Sequence, residues 1–326
     1  MKSPKVVCLG VHLLDVLVRH PEAPNLQPGW QILDDLRITA AGTAAGPAVD
    51  LAKLGAQPLS MGVVGDDYEG GLMVDLMAGF GCDMSRLVRD PGGPTHVSLL
   101  FIGADGERNP IMIRPTGART LTLDDIDMDV VADADVLHVG GADQLGDFAS
   151  GPLVELIRHA REHDVVVTVD VLAMCDEEMR DRLAPALSQA QYFFPNESQL
   201  AEMTGTEDPA EGVARLREAV GIETVIGTLG GEGSLILGPA GEARVPAFDV
   251  DVVDTTGCGD AYAAGFIVAV ANGWDPEAAG WLGAAAAGLV ATGLGSDSGI
   301  VDLPSTLDFM ATQAPERIAA LARTTA

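Results

Sequence analysis

Short apolar runs alternate along the chain with longer segments in which apolar residues recur every three or four positions. The short runs are rich in Val, Ile and Leu and end in turn-forming residues, a pattern typical of buried strands. The predicted strands lie at 5–9, 11–18, 58–64, 135–139, 165–170, 191–194, 224–229 and 234–237, with a half-exposed strand at 30–39. One predicted helix follows a Gly/Ala-rich turn within 40–55, and the others run to Met77, over 151–163, to Met203, over 209–220 and over 261–270.

This alternation of strands and helices predicts an α/β fold with a mostly parallel central sheet and helices on both faces. Ligands of such sheets bind at the carboxyl ends of the strands. We therefore expect one edge of the sheet to carry the turns after Gly10, Val139, Asp170, Phe194, Leu229 and Thr255.

The segment at 95–114 breaks the rhythm. Residues 95–103 and 108–114 alternate as antiparallel strands around a turn at 104–107, which predicts a hairpin. Such a hairpin is a candidate for a separate element, such as a lid. Because neither an internal repeat nor a linker interrupts the chain, we expect residues 1–326 to form one domain.

Composition narrows the possible partners and the compartment. The 326 residues are 47% hydrophobic and carry a net charge of −29, so nucleic acid and anionic membranes are poor partners. The four cysteines lie far apart without a CxxC pair, which favours a reducing cytoplasm. The start of the chain lacks the layout of a signal peptide. The most apolar segments, 261–271 and 278–291, are each shorter than the roughly 20 residues of a membrane helix.

The strongest candidate chemistry lies at 254–260, where the sequence DTTGCGD leads directly into an Ala-rich helical pattern. Its glycines allow a sharp turn with uncovered N–H groups. The start of the helix attracts negative charge. An anion cradle with Asp260 beside it suits phosphoryl transfer to a hydroxyl. Taken alone, a plain strand-to-helix turn explains this stretch about equally well.

The same heptapeptide resembles the DTxGAGD signature of the ribokinase-like (PfkB) family of carbohydrate and nucleoside kinases, with Cys258 in place of alanine. The resemblance covers nearly the whole chain, because it also includes the opening strand with Asp15, the turn at 41–48, the hairpin at 95–114, and the PNE and TLG sequences at 195–197 and 228–230. It implies a three-layer α/β/α fold with a small β-sheet lid, whose strands lie within about 11–40 and 95–114.

The resemblance assigns catalytic roles to the 257–260 turn. Asp260 matches the family's general base, which takes the proton of the substrate hydroxyl as it attacks the γ-phosphate of ATP. The N–H groups of Gly257, Cys258 and Gly259 match the anion hole for the transferring group. The Cys258 thiol, at a helix N-terminus, is expected to have a lowered pKa, although we interpret this residue chiefly as a small replacement for alanine.

The resemblance also implies cations. Asp254 and Thr256 match positions where many members hold K⁺ beside the anion hole. Asn196 begins a motif whose glutamate, three residues later, helps to order Mg²⁺. Here Gln199 stands in that place, and its amide can orient water but adds no charge.

ATP and the acceptor substrate have matching positions too. Thr228 and Gly230 lie in the loop that contacts nucleotide phosphates, and Gly295 in the loop that edges the adenine pocket. For the substrate, the resemblance implies Asp15 as the carboxylate that hydrogen-bonds sugar hydroxyls. It adds a substrate-binding turn with Gly42, Thr43 and Gly46.

The substrate turn departs from the family at Gly46, where members commonly carry an asparagine that binds hydroxyls. We therefore expect a small polyhydroxylated substrate that is not held like ribose. The lid often builds a homodimer in the family, and the resemblance implies the same here.

Other polar residues are weaker candidates. His12, His96 and His138 lie near ligand-facing strand ends, but each is expected to be a packed or solvated side chain. Arg108 and Arg114 in the hairpin either meet an anionic substrate or are exposed lid residues.

The sequence excludes two other classes of enzyme and leaves two alternative functions. A P-loop kinase is excluded because no lysine follows Lys53, and a Rossmann dehydrogenase lacks its GxGxxG after the first strand. The low aromatic content, 4%, favours a sugar over a nucleoside. The alternatives are a nucleoside kinase and a kinase-like protein that binds a small molecule without catalysis.

Overall fold

The computed structural model describes residues 1–19, 30, 32–33, 35–103, 106, 108–113, 117–173 and 175–316. Its main sheet has nine strands. Seven are parallel, and two antiparallel strands continue the sheet at one edge. In spatial order they are β13 (Gly241–Val245), β12 (Ser234–Gly238), β11 (Thr224–Thr228), β10 (Tyr192–Phe193), β9 (Val166–Val169), β8 (Val136–Gly140), β1 (Lys5–Gly10), β4 (Gln57–Gly65) and β5 (Asp83–Asp90).

Ten helices occur in the described part of the chain. They are α1 (Ala45–Lys53), α2 (Tyr68–Gly79), α3 (Met128–Ala132), α4 (Gly151–Glu162), α5 (Glu177–Leu187), α6 (Glu197–Thr204), α7 (Pro209–Val220), α8 (Cys258–Ala271), α9 (Pro276–Ala291) and α10 (Leu303–Gln313). None of these helices is long and apolar enough to cross a bilayer.

Strand β1 shows why the fold has three layers. Successive side chains of a strand point to opposite faces. Val6 and Cys8 belong to the core formed with α1, α2, α8, α9 and α10, whereas Val7 and Leu9 belong to the core formed with α3 to α7. Since both faces are apolar, the strand is hydrophobic throughout, as expected for a central parallel strand. The predicted α/β/α architecture is confirmed.

A second sheet of four strands forms the predicted lid. Its order is β3 (Asp35–Ala41), β2 (Leu13–Arg19), β6 (Val97–Ile102) and β7 (Arg108–Ile113). Strands β6 and β7 pair antiparallel, which confirms the hairpin, and β2 pairs parallel with β6. Of its predicted turn, only Gly106 is among the described residues.

Small residues hold α8 close to α9. A Cβ on Gly265 would lie 2.7 Å from the Leu282 carbonyl oxygen, and one on Gly283 would lie 2.8 Å from that of Tyr262. Any larger residue would force the helices apart. The Ala/Gly-rich composition of this pair therefore fixes the position of α8, whose N-terminus carries the 257–260 turn.

Several elements depart from the sequence-based predictions. Strands β5 and β13 and helices α3, α5, α9 and α10 were not predicted. Strand β5 is polar and only half buried, and α5 is highly charged with Pro185 inside it, so neither shows the expected periodicity. The strand predicted at 30–39 is wrong at its start, because the observed strand begins at Asp35, and positions 31 and 34 lie outside the described residues.

Candidate active site

A cavity of about 510 Å³ opens where the carboxyl edge of the main sheet meets the lid. Residues 170–173 after β9, 194–196 after β10 and Thr228 at the end of β11 form its sheet side. Strands of the lid close the opposite side, and the 256–260 turn completes the wall. The prediction that strand-end turns gather at one edge is confirmed for these segments.

The 257–260 turn requires glycine at its first position, for two reasons. Gly257 has φ +81°, a conformation that favours glycine. A Cβ there would also lie 2.4 Å from Cβ of Ser296. The start of α8 has no side-chain cap, so N–H groups of its first turn remain for a ligand or water. Cys258 is an exception, because its N–H donates to the Thr255 carbonyl at 3.3 Å.

Asp260 lies in the first turn of α8, in the cavity wall. Its carboxylate packs against α1, where a Cβ on Gly46 would lie 2.5 Å from Asp260 Oδ2. Burial, together with the charge of Asp15, raises the pKa of Asp260 to about 7, against the opposing effect of Arg108. The carboxyl is therefore close to half ionised at neutral pH, which suits a group that accepts a proton during a reaction.

Two further carboxyl groups line the cavity. Asp15 on β2 accepts a hydrogen bond from the Ser98 hydroxyl of β6, its register partner. Burial raises the pKa of Asp15 to about 6. Burial and the charge of Asp260 raise the pKa of Asp170 well above its usual range. Three acids with raised pKa values around one cavity are typical of a functional site. Among them, only Asp170 was not predicted as a site residue, because it resembled an ordinary strand end.

Arg108 is the one basic side chain among the described residues that line the cavity. It projects from the lid, and its Nη1 donates to the Thr255 carbonyl at 3.1 Å. The hypothesis that Arg108 can meet an anionic ligand thus has the required geometry, whereas Arg114 lies outside the described residues. With so little positive charge nearby, an anion here must depend largely on backbone N–H groups.

The predicted substrate turn forms one corner of the cavity. Gly42 and Thr43 line it, and Gly42 has φ +92° with its Cα facing the Val11 carbonyl, 2.6 Å from where a Cβ would lie. Gly46 does not line it, because this residue lies beneath Asp260. His138 supports the turn from below, with Nε2 donating to the Thr43 carbonyl at 2.8 Å. Burial lowers the pKa of His138 to about 4, and the prediction of a packed histidine is confirmed.

Of the four residues predicted to bind the nucleotide, two line the cavity. Asn196 and Thr228 line the cavity and form a bridge between strand ends. Gly230 is exposed in the following turn. Gly295 is buried, and its N–H donates to Asp254 Oδ2 at 2.8 Å.

The predicted potassium ligands form a closed hydrogen-bonded unit. Asp254 is fully buried. Its Oδ1 accepts from the Thr256 N–H at 2.9 Å and the Thr256 hydroxyl at 2.7 Å. With Gly295 on the other oxygen, the carboxylate joins the loop before α8 to the loop after α9.

Both polar groups of the Gln199 side chain form hydrogen bonds with backbone atoms. Its Oε1 accepts from the Asn196 N–H at 2.9 Å. Its Nε2 donates to the carbonyl oxygens of Val171 and Ala173, each at 3.1 Å. A carboxylate could accept the first bond but could not donate the other two. The amide at this position is therefore matched to its surroundings, a role that the sequence did not predict.

The described residues form neither a metal-binding cluster nor a disulfide. Across the described segments, no three His, Cys, Asp or Glu side chains cluster closely enough to hold a metal ion. All four cysteines are free. The prediction of a lowered thiol pKa at Cys258 is wrong, because burial raises that pKa to about 12.

Comparisons with known proteins agree on one family. The family model described as "pfkB family carbohydrate kinase" matches residues 4–302. "Probable fructokinase-6, chloroplastic" of Arabidopsis thaliana is 26% identical over 280 residues, covering 83% of this chain and 71% of the relative. "Deoxyribokinase" of Salmonella typhi is 27% identical over 297 residues, covering 90% and 94%.

A solved structure supports the fold. The E. coli protein described as "putative Ribokinase II in complex with ATP and Mg+2" superposes with a TM-score of 0.79 at 22% identity. The match covers 95% of this chain and 100% of that one.

Replacing Gln199 by Glu tests its structural role. At pH 7 the variant loses both bonds from Nε2. The buried Val171 carbonyl left without its donor costs about 1–3 kcal/mol, and the half-buried Ala173 carbonyl costs less. We expect a lower free energy of unfolding by chemical denaturation, with a smaller deficit at pH 5, where a protonated Glu can donate one bond. Ser198→Glu, at an exposed neighbouring position, is the control for added charge. Equal stability of wild type and Gln199→Glu at pH 7 would contradict this role.

Proposed function

The chain belongs to the pfkB family of carbohydrate kinases, and we propose that it transfers the γ-phosphate of ATP to a hydroxyl of a small sugar or sugar-like substrate. One observation carries this proposal. Asp260, with a pKa near 7, lies at the uncapped N-terminus of α8 and shares a cavity with Asp15 of the lid. A proton acceptor, anion-binding N–H groups and a hydroxyl-binding carboxylate thus meet in one space.

The transfer step uses these groups together. The substrate hydroxyl oxygen bonds to the γ-phosphorus as the bond to the β–γ bridging oxygen breaks and ADP leaves. Asp260 accepts the hydroxyl proton. The N–H groups of Gly257 and Gly259 stabilise charge on the transferring group, whereas that of Cys258 is bonded to the Thr255 carbonyl. Arg108 supplies positive charge to the same end of the cavity. Asp15 orients the substrate through its other hydroxyls.

The sugar and the nucleotide are proposed to occupy opposite sides of the cavity. We place the sugar between Asp15 and the turn with Gly42 and Thr43. Because Gly46 makes room for Asp260, its contribution is to position the base. On the other side, Asn196, Thr228, Gly230 and Gly295 are proposed to hold ATP.

Mg²⁺ accompanies ATP in this proposal. In proteins Mg²⁺ keeps several waters and takes one or two carboxylates plus substrate phosphates, which fits a chain whose described residues offer no ready-made metal cluster. When bound, it neutralises phosphate charge. Asp170 is the carboxylate proposed to face it, since Gln199 is engaged with backbone carbonyls.

A potassium ion beside the 257–260 turn is also part of the proposal. K⁺ beside Asp254 and Thr256 would use the remaining lone pair of the Asp254 carboxylate, because three donors already contact that carboxylate.

The four free cysteines support the cytoplasm as the compartment.

A homodimer through the lid is supported by one of its faces. Register places Ile38 beside Val16 and Leu99 beside Ile111, on the face opposite to Asp15. Ile38 is 38% exposed and Ile111 is 43% exposed. A continuous, exposed apolar face of this kind marks an interaction surface, and a second copy of the same lid is proposed to cover it.

The role of Asp260 is tested by Asp260→Asn. The amide cannot accept the hydroxyl proton, so we expect kcat to fall by about 10²–10⁴ while the affinity for ATP, measured calorimetrically, changes little. Glu232→Gln, on the exposed turn after Thr228, is the control. Turnover at the wild-type rate in Asp260→Asn would rule out this mechanism.

The pH dependence follows from the raised pKa. Because the base must be ionised, kcat/KM should increase with pH, reach half of its maximum near pH 7, and level off at higher pH. In Asp15→Asn, residual activity should show a lower midpoint, since the charge of Asp15 raises the pKa of Asp260. A midpoint near the ordinary aspartate value in the wild type would contradict the assignment. The measurement is ADP release between about pH 5 and 9.

The dimer is tested by Ile111→Asp. A charge on the edge strand of the apolar lid face should leave a folded monomer in sedimentation velocity, because burying it between two lids is costly. Val301→Asp is the matched control, since Val301 is 75% exposed elsewhere on the surface. The proposal fails if the wild type is monomeric or if Ile111→Asp remains dimeric.

A further inference from the structure

The cavity face of the lid is mostly apolar. Among its described lining residues, only Asp15, Ser98 and Arg108 have polar side chains, and the others are Leu13, Ala41, Leu100, Pro110 and Met112. A sugar hydroxyl that approaches the lid therefore has the Asp15 carboxylate as its main acceptor. How this carboxylate is held decides how well it can serve a substrate.

Ser98 is the side chain that holds it. The two residues lie opposite each other where β2 pairs with β6, and the Ser98 hydroxyl donates to Asp15 Oδ1. Ser98 is 3% exposed and Asp15 is 6% exposed, so water has little access to this bond. The partner of Ser98 on its other side is Met112 of β7, whose thioether is only a weak acceptor. Asp15 is therefore the strong acceptor within this row of the lid.

The bond restricts the orientation of the carboxylate. The terminal torsion of an aspartate side chain is broad, so a carboxylate without a fixed donor turns easily. With Oδ1 of Asp15 held by Ser98, this rotation is limited. Among the described contacts, Oδ2 is the oxygen that remains for a ligand in the cavity.

The bond also favours the ionised form of Asp15. Burial raises the pKa of Asp15 to about 6, against the opposing effects of the Ser98 hydrogen bond and the Arg108 charge, while the charge of Asp254 acts in the raising direction. The charge of Asp15 in turn raises the pKa of Asp260. Through Asp15, the Ser98 hydroxyl thus affects the ionisation of both carboxyl groups.

We propose that Ser98 is a positioning residue for the acceptor substrate: its hydroxyl holds Asp15 Oδ1, and Oδ2 accepts a hydrogen bond from a hydroxyl of the sugar. This inference rests on the proposed kinase function. Without the Ser98 hydroxyl, Asp15 would be less well oriented and more often protonated at neutral pH. Sugar binding should then weaken, and most strongly at the acidic end of the pH range.

A first experiment needs no ligand. The carboxyl carbons of the aspartates are labelled with ¹³C and titrated by NMR between about pH 5 and 9, with Asp15→Asn and Asp260→Asn to identify the two resonances. In Ser98→Ala we expect the midpoint of Asp15 to rise by about one pH unit, because a hydrogen bond to a charged group is worth about tenfold or more. The midpoint of Asp260 should fall, since a protonated Asp15 no longer repels its charge.

Two control variants separate the hydroxyl from general packing. Ser98→Thr keeps a hydroxyl and should give midpoints close to those of the wild type. Ser60→Ala removes another buried hydroxyl, which has no partner among the described residues and lies outside the cavity lining, so both midpoints should stay in place. The proposal is overturned if the midpoint of Asp15 does not rise in Ser98→Ala, or if it rises equally in Ser98→Thr.

Sugar binding tests the positioning itself. The probe is whichever of D-fructose, D-ribose and 2-deoxy-D-ribose gives the fastest ADP release with the wild type, and its affinity is measured by calorimetry without ATP. A rise of one unit in the midpoint of Asp15 lowers its ionised fraction at about pH 6 from one half to about one tenth. In Ser98→Ala we therefore expect about fivefold weaker binding at about pH 6 and a smaller loss at about pH 8.5.

The steady-state constants should separate in the same way. At about pH 8.5, kcat of Ser98→Ala at saturating sugar should change by less than about twofold, because the lost interaction serves binding rather than the transfer step. Equal affinity of wild type and Ser98→Ala at acidic pH, or a fall in kcat with unchanged affinity, overturns the proposal. If no probe gives ADP release with the wild type, the kinase function fails and the role toward a sugar fails with it. The titration then still decides whether Ser98 governs Asp15.

Discussion

The buried carboxylate of Asp254 is the interaction on which the arrangement of the site depends. By binding Thr256 and the Gly295 N–H, it connects the loop that starts α8 to the loop that follows α9. That second loop also contacts the lid. The Ser296 hydroxyl donates to the Ala40 carbonyl at 3.2 Å, and Asp297 pairs with Arg37 at 2.9 Å. The 257–260 turn and the lid therefore share one support, and neither can shift far without straining the other.

Close backbone packing is the second constraint around the cavity. Gly257 faces Ser296, Gly42 faces the Val11 carbonyl, and Gly46 leaves room for the Asp260 carboxylate, each within a distance that a Cβ would violate. These contacts bring the lid, α1 and α8 together closely enough to enclose a small substrate. At Gly46, the space that a side chain would need is occupied by the Asp260 carboxylate.

Much of the fold and part of the site could be predicted from the sequence, for physical reasons that differ by residue. Buried parallel strands such as β1 are apolar on both faces, so their pattern is strong. The 257–260 turn has a local sequence pattern because its conformation requires glycine. By contrast, the pairing of Asp15 with Ser98 depends on the register of strands that lie 83 residues apart, and the two carbonyl partners of Gln199 come from a different loop. Such contacts are set by tertiary packing, which local patterns do not encode.

The acidic lining of the cavity affects the last stage of the reaction cycle. A neutral sugar enters a space bordered by Asp15, Asp170 and Asp260 on a protein of net charge −29. After the transfer, the same molecule carries a phosphate, and Arg108 is the sole basic side chain among the described lining residues. Under the proposed reaction, the ionised fraction of these carboxyl groups repels the sugar phosphate more strongly than the neutral sugar. This difference in charge favours release of the phosphorylated sugar over its retention in the cavity.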